Sequence, residues 1–291
     1  MKLAAARTGR IPDRLAEPMD SKRTAMVFAH PGHELAVAGM LQRHRPHLLF
    51  LTQADSAGDR EREKLALHGL QELGLADRAT FLSISEIDIH GWLLDSRLAP
   101  FLAMRDQVLQ WLEQVRPAAL FGDAFELWNV VHDIGRALLD SAWRQYSNNA
   151  VCDNFELPLV CRTEPGLSNL RFQQFPHGDF DVFHLTKAEA QLKRSLADWA
   201  ATRWPEAAET KSFFSIEREV FRRVAPDRDY SISPEGLCLH YDEWGRLKVR
   251  QGRRAKPILF AQHFVPIVRQ LLAARTHPSV AQRDLSSAKP K

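Results

Sequence analysis

The chain has 291 residues, of which 45% are hydrophobic and 26% charged, and its formal net charge is +3, from 39 basic and 36 acidic residues. These values are ordinary for a globular protein, and so small a net charge argues against nucleic acid as a partner. No apolar stretch approaches the roughly 20 residues that cross a bilayer, so we expect no membrane span.

The first half of the chain alternates short apolar runs with amphipathic segments. In chain order we predict the strand AMVFAH, the helix ELAVAGMLQRH, the strand HLLFLT, the helix GDREREKLALHGLQELGL, the strand ATFLSIS, the helix LAPFLAMRDQVLQWLEQVRP, the strand AALFGDA and the helix HDIGRALLDSAWRQY. Such alternation predicts an α/β, Rossmann-like three-layer fold, with a mostly parallel sheet and helices on both faces.

The second half predicts a smaller, β-containing lobe. Its short strands are FELPLVCR, LRFQQFPHG and DVFHLT, followed by the helix KAEAQLKRSLADWAATR, a hairpin-like turn at DEWGR and the apolar segment PILFAQHFVPIVRQLLAA. We expect one domain over residues 23–275, with a core at 24–150 and an added lobe at 151–275. Residues 1–22 and 276–291 lack periodicity and are predicted to be flexible tails.

Polar side chains follow several predicted strands, where parallel α/β sheets bind their ligands. His30, Asp55 and Asp123 come just after strand ends, and Pro31-Gly32 turns the chain so that His33 can share a cation with His30. Three neutral imidazoles can hold zinc and leave a fourth position for water. His132, after the fourth strand, is the best third ligand. Without convergence, however, such histidines are turn or core residues.

The acids beside His132 allow two interpretations. Asp133 either orients the N–H of a ligand ring or is an ordinary acid in the first turn of a helix. Asp123 and Glu126 lie on the loop before that helix. Asp123 is either part of the site or a turn residue at the end of a strand, and the sequence supports both interpretations equally.

The ordered motifs resemble those of zinc-dependent N-deacetylases of the LmbE-like and PIG-L type. The motifs that carry this resemblance are FAHPGHE at 28–34, LTQADSAGD at 51–59, REREKLALHGLQELG at 60–74, RPAALFGDA at 116–124, NVVHDIGRALLDSA at 129–142 and KAEAQLKRSLADW at 187–199. Residues 24 to about 150 carry most of the similarity. The resemblance implies a metal-dependent hydrolase of an N-acyl amide.

Transferred onto this chain, the resemblance implies that His30 and His132 are the first and third metal ligands, with His33 replacing a carboxylate ligand. Gly32 stands where the family has its general base, and Asn129 where a histidine polarises the amide carbonyl. An asparagine amide can still donate a hydrogen bond to an oxyanion.

Glycine cannot accept a proton, so a base has to come from another position. The candidates are Glu34, Glu126 and Asp133, and we favour Glu126. The family's glutamate at position 34 more often has a structural role.

We therefore expect a zinc-dependent N-deacetylase, or one that uses another divalent metal. Its expected substrate is a small N-acylated compound that contains a sugar such as N-acetylglucosamine. The alternatives are a metal- or carbohydrate-binding protein that has lost hydrolysis, and an α/β protein without a metal. The basic segment WGRLKVRQGRRAK, from Trp244, is either a solvated hairpin or a site for a phosphate-bearing substrate or partner.

Cysteine usage and the first residues suggest a cytoplasmic protein. Cys152, Cys161 and Cys238 form no Cys-x-x-Cys pair, which is typical of reduced thiols. The opening MKLAAARTGRIPDRLAEPMD has an apolar patch of only four residues, unlike a secretory signal. The sequence leaves the oligomeric state open.

Overall fold

A computed structural model describes most of the chain. The described residues are 23–53, 61–164, 170–176, 178–203, 215–252 and 254–274. Both predicted tails and Asp55 lie outside them.

The described residues form nine strands and eight α-helices. The strands are β1 (Thr24–Phe28), β2 (His47–Thr52), β3 (Ala79–Ile84), β4 (Ala119–Asp123), β5 (Asp153–Leu157), β6 (Val160–Arg162), β7 (Leu170–Phe172), β8 (Asp181–His184) and β9 (Arg218–Arg223). The helices are α1 (Ala38–His44), α2 (Glu61–Glu72), α3 (Glu86–Leu94), α4 (Leu98–Val115), α5 (Val130–Tyr146), α6 (Lys187–Ala201), α7 (Tyr241–Arg250) and α8 (Val265–Ala273). Short 3₁₀ turns at His33–Val37 and Ala76–Arg78 and a π turn at Phe260–Phe264 complete the set.

Seven strands form one sheet in the order β3-β2-β1-β4-β5-β9-β8. The first five are parallel, and β9 and β8 extend the sheet in antiparallel fashion. Strands β6 and β7 pair separately. The chain winds from β1 to one side and then returns to place β4 on the other. The carboxyl ends of β1 and β4 therefore lie at the switch point where such sheets bind ligands.

The core lies on both faces of the sheet, as the alternation along β1 requires. Ala25 and Val27 pack with residues of α3, α4, α5 and α8, whereas Met26 and Phe28 pack with residues of α1, α2 and α6. The predicted α/β fold class, with helices on both faces of a mostly parallel sheet, is confirmed. None of the described helices is long and apolar enough to cross a membrane.

The structure differs from the predicted elements at three places. The residues around DEWGR form helix α7 and not a hairpin, because Tyr241 and Gly245, four residues apart, form one buried helical face. Helix α3 and strand β9 were not predicted. Of the two, α3 matters for function because it begins at the carboxyl end of β3, beside the histidines.

Candidate metal centre

Three histidines converge at the switch point of the sheet. His30 and His33 follow β1, and His132 lies in the first turn of α5, after β4. Their candidate ligand atoms all lie within 4.8 Å of one another. All three side chains are buried, with exposures of 4–8%. The structure thus brings together the three residues that the sequence predicts as ligands.

Gly32 shapes the turn that brings the first two rings together. Its φ of 106° lies in the region that favours glycine. Its N–H donates to Glu34 Oε2 at 2.6 Å, which closes the turn before the 3₁₀ segment. The ring centroids of His30 and His33 are 3.9 Å apart as a result. A glycine at position 32 therefore has a conformational reason to be there.

The hydrogen bonds of the rings indicate which nitrogens face the centre. His30 Nδ1 lies 3.2 Å from the carbonyl oxygen of Pro31, which only accepts, so Nδ1 carries the proton. His30 Nε2 then presents a lone pair, 3.0 Å from His132 Nε2. Burial, followed by the neighbouring imidazoles, lowers the pKa of His30 well below its ordinary value, and burial likewise lowers the pKa of His132. Both rings are neutral, the form that binds metals.

The spacing between the Nε2 atoms of His30 and His132 fits a divalent ion such as zinc. Two nitrogens that each lie ~2.0–2.1 Å from a tetrahedral ion are about 3.3 Å apart. The Nε2–Nε2 distance of 3.0 Å between His30 and His132 is close to that value.

Asp123, at the end of β4, supports this centre from behind. Its Oδ2 accepts from Ala29 N at 2.7 Å and lies 2.8 Å from His33 Nδ1, which leaves His33 Nε2 for the centre. The carboxylate is buried, and among the described residues its Oδ1 has no hydrogen-bond partner. A carboxylate behind a ligating imidazole fixes its tautomer and raises its basicity. The sequence placed Asp123 at a strand end but did not pair it with His33.

Glu86 is the site residue that the sequence analysis missed. It begins α3, and its Oε1 lies 3.8 Å from His30 Nε2, with 18% of the side chain exposed. The set of mutually close donor atoms consists of the three histidines, so Glu86 stands at the edge of the centre. Ser85, which caps the helix by accepting from Ile87 N, followed by Glu86 and Asp88, is a helix-start signal that could have revealed it.

Glu126 and Asp133, both predicted as candidate bases, bind loop backbone. Glu126 Oε1 accepts from Leu159 N at 2.5 Å and from Val160 N at 3.0 Å. Asp133 accepts from Glu126 N at 3.0 Å and from Leu127 N at 3.1 Å. Burial raises the pKa of both carboxyls well above their ordinary values. Of its two predicted roles, Asp133 has that of a first-turn acid, because its carboxylate accepts from backbone N–H groups of the preceding loop. The geometry favours structural roles for both.

Asn129 and Glu34 also make local backbone contacts. Asn129 is the N-cap of α5, where its Oδ1 accepts from Val131 N at 3.0 Å. Glu34 is buried, and burial raises its pKa to about 7 although the N–H of Gly32 favours the charged form. Both residues therefore border the histidine centre while stabilising the turns that carry its ligands.

A cavity of about 230 Å³ lies at the carboxyl ends of β4 and β5. Its walls include Phe125, Glu126, Pro158, Phe175 and Leu237. The loop that contributes Phe125 and Glu126 also connects Asp123 with the start of α5. One loop therefore borders both the cavity and the histidine centre.

No protein-family model matches the chain, and no curated protein matches it. Among solved structures, it is similar to the conserved protein TT1542 of Thermus thermophilus, with 18% identity over 72% of this chain and 98% of that one, at a TM-score of 0.47. It is also similar to the A40926 pseudoaglycone deacetylase Dbv21, with 11% identity over 71% and 99% of the chains and a TM-score of 0.45. A third structure is the zinc-inhibited form of the teicoplanin deacetylase Orf2, with 10% identity over 71% and 100% and a TM-score of 0.41. Likenesses this distant do not decide the function, which has to be argued from the site.

Proposed function

We propose that the protein is a metal-dependent hydrolase that removes the acyl group from an N-acylated small molecule. The observation that carries the proposal is the convergence of His30, His33 and His132, three buried imidazoles with their donor atoms within 4.8 Å of one another. Three neutral nitrogens leave one position of a tetrahedral ion open, as catalytic zinc sites require. The sugar-containing substrate class is supported by the motif resemblance alone.

The residues around the centre divide the work of amide hydrolysis. A divalent ion held by the three rings lowers the pKa of water and polarises an acyl carbonyl. Asp123 holds His33 in the tautomer that presents Nε2 to the centre. The Nδ2 group of Asn129, whose Oδ1 caps α5, is the donor that we assign to the developing oxyanion.

Glu86 is the residue that we assign as proton acceptor, since Gly32 cannot serve as a base. Its Oε1 lies 3.8 Å from His30 Nε2, and the side chain is partly exposed, so water can reach it. Glu86 accepts a proton as the water oxygen bonds to the acyl carbon, and it returns that proton to the amine nitrogen as the C–N bond breaks. Glu34, Glu126 and Asp133 accept hydrogen bonds from backbone N–H groups of the turns and loops around the centre.

The test is the metal content of the purified protein, measured by elemental analysis for wild type, His33→Ala and His132→Ala. We expect about one equivalent of zinc or a similar ion in wild type and its loss in both variants. Hydrolysis is then measured by amine release from N-acetylated sugars and simple acetamides. Wild-type protein that stays metal-free after incubation with zinc would refute the proposal.

A second function is favoured by Gly32 and by the backbone contacts of Glu126 and Asp133. These features suit a metal- or carbohydrate-binding protein that retains the scaffold without hydrolysis. One equivalent of metal, with no amine released from any N-acyl substrate by either wild type or Glu86→Gln, would identify this second function.

A further inference from the structure

Helix α3 connects the histidine centre to the basic segment that begins at Trp244 in α7 and continues past the end of that helix. Glu86 and His90 are four residues apart and therefore lie on one face of α3, about 6 Å apart along its axis. Glu86 reaches His30 at one end. At the other end, Arg254 Nη2 donates to His90 Nδ1 at 3.4 Å.

The far end of this face is positively charged. Residues 244–272 contain no aspartate or glutamate. In the described part of the chain, Arg254 has no carboxylate within 4 Å, and its hydrogen bond goes to a neutral ring. Burial, followed by the charges of Arg254 and Lys248, lowers the pKa of His90 to about 4. The His90 ring is therefore neutral near pH 7 and contributes no charge to this end of the face.

Arg254 is half-buried, and the carboxylate of Glu86 acts on it from beyond ion-pair distance. Burial lowers the pKa of its guanidinium, and the charge of Glu86 offsets this only in part. A partly desolvated guanidinium is costly unless it is paired. Its planar fork of donors matches phosphate and carboxylate oxygens.

We propose that Arg254, which donates to His90, binds an anionic phosphate or carboxylate group of the substrate, about one turn of α3 away from Glu86. The inference rests on the proposed function, since it makes the substrate an N-acyl compound that carries a negative charge. The acyl amide lies at the histidines and the anionic group lies against Arg254. This assigns a role to the basic segment that the hydrolytic site itself does not use.

The first experiment measures the binding of inorganic phosphate by isothermal titration calorimetry. Arg254→Gln removes the charge, Arg254→Lys keeps it, and Arg250→Gln is a matched control at the exposed end of α7. We expect saturable binding in wild type, weakened on the order of tenfold or more in Arg254→Gln, and within about twofold of wild type in Arg250→Gln. Arg254→Lys should retain part of the affinity.

His132→Ala separates this site from the metal centre. Phosphate binding that is lost in His132→Ala but unchanged in Arg254→Gln would place the anion at the histidines and overturn the inference. Wild-type protein that shows no saturation would overturn it as well.

A second experiment compares N-acetylglucosamine with N-acetylglucosamine 6-phosphate as substrates. We expect a higher kcat/KM for the phosphorylated compound, and Arg254→Gln should remove that preference without changing metal content. Equal kcat/KM values for the two compounds, together with Arg254-independent phosphate binding, would refute the anion site but not the hydrolase. Arg254-dependent phosphate binding without hydrolysis of either compound would refute the hydrolase and support the anion site.

Discussion

Replacing Asp123 by asparagine tests how much of the metal affinity comes from behind the ligands. Of the three rings, His33 is the one whose second nitrogen faces a carboxylate, at 2.8 Å. His30 faces a backbone carbonyl, and His132 Nδ1 has no partner among the described residues. The substitution thus removes the anionic support of the centre while keeping an oxygen that can accept from Ala29 N.

We expect Asp123→Asn to weaken metal binding 10- to 100-fold, or by about 1.4–2.7 kcal/mol, as carboxylates behind ligating histidines typically contribute. The metal-free protein should lose only about 1 kcal/mol of stability, because the bond to Ala29 N becomes a neutral one. Both effects have the same cause, the loss of one negative charge at an otherwise unchanged position.

The assay is competition for zinc against a chelator of known affinity, with urea unfolding of the metal-free protein in parallel. Asp153→Asn is the matched control. Asp153 begins β5, at the edge of the sheet opposite the histidine centre, and pairs with Arg223 on a half-exposed surface. A zinc affinity of Asp123→Asn within twofold of wild type would refute the role of Asp123 in positioning His33.

Three further predictions concern the base, the turn and the buried charges. Glu86→Gln should lower kcat by about 10²- to 10⁴-fold with unchanged metal content, and co-loss of the metal would instead make Glu86 a ligand. Gly32→Asp and Gly32→Ala should each lower the free energy of unfolding by about 1–2 kcal/mol, because φ at this position is 106°. Neither variant should raise kcat. An active Gly32→Asp, Glu86→Gln double variant would contradict the assignment of Glu86 as the base. Burial alone would raise the pKa of Glu156, but Arg228 and Arg222 outweigh it and lower the pKa to about 2. The ionised Glu156 thus contributes about 3 kcal/mol to the free energy of unfolding above pH 4.5, and this contribution is lost as pH falls toward 2. In urea unfolding, the stability difference between wild type and Glu156→Gln should therefore shrink over that range; a constant difference would contradict this.

The parallel core could be predicted from sequence because its signals are local. Each of the first strands is an apolar run, and each amphipathic helix that follows it has a regular spacing of buried positions. Helix α3 was missed because SEIDIH, at 85–90, alternates polar and apolar residues as a strand does, and Gly91 follows it, so no clear helical period stands out. The turn predicted at DEWGR was wrong because the glycine favours a turn locally, whereas Gly245 and Tyr241, four residues apart, form the buried face of α7.

The three histidines could be found because each follows a predicted strand or belongs to a motif. The carboxylates around them could not be assigned in the same way. The sequence predicts Glu126 and Asp133 as candidate bases, but their hydrogen-bond partners are backbone N–H groups of loops whose paths the sequence does not give. Asp123 meets His33 only because β4 lies beside β1 in the sheet. Glu86 meets His30 only because β3 and α3 direct it there.

The positions of these carboxylates explain how a chain with Gly32 can retain the chemistry that the motif resemblance implies. An aspartate at position 32 would have to adopt the φ of 106° that the present turn uses, at a cost that glycine does not bear. With His33 as a neutral ligand, the centre still keeps negative charge nearby, because Asp123 stands behind His33 and Glu86 stands beside His30. Under the proposed function, ligation and proton transfer are divided between a histidine supported by β4 and a glutamate at the start of α3. Since these supports come from different elements, Asp123→Asn should change metal affinity and Glu86→Gln should change turnover. Variants that each changed both would show that the two carboxylates act as one unit.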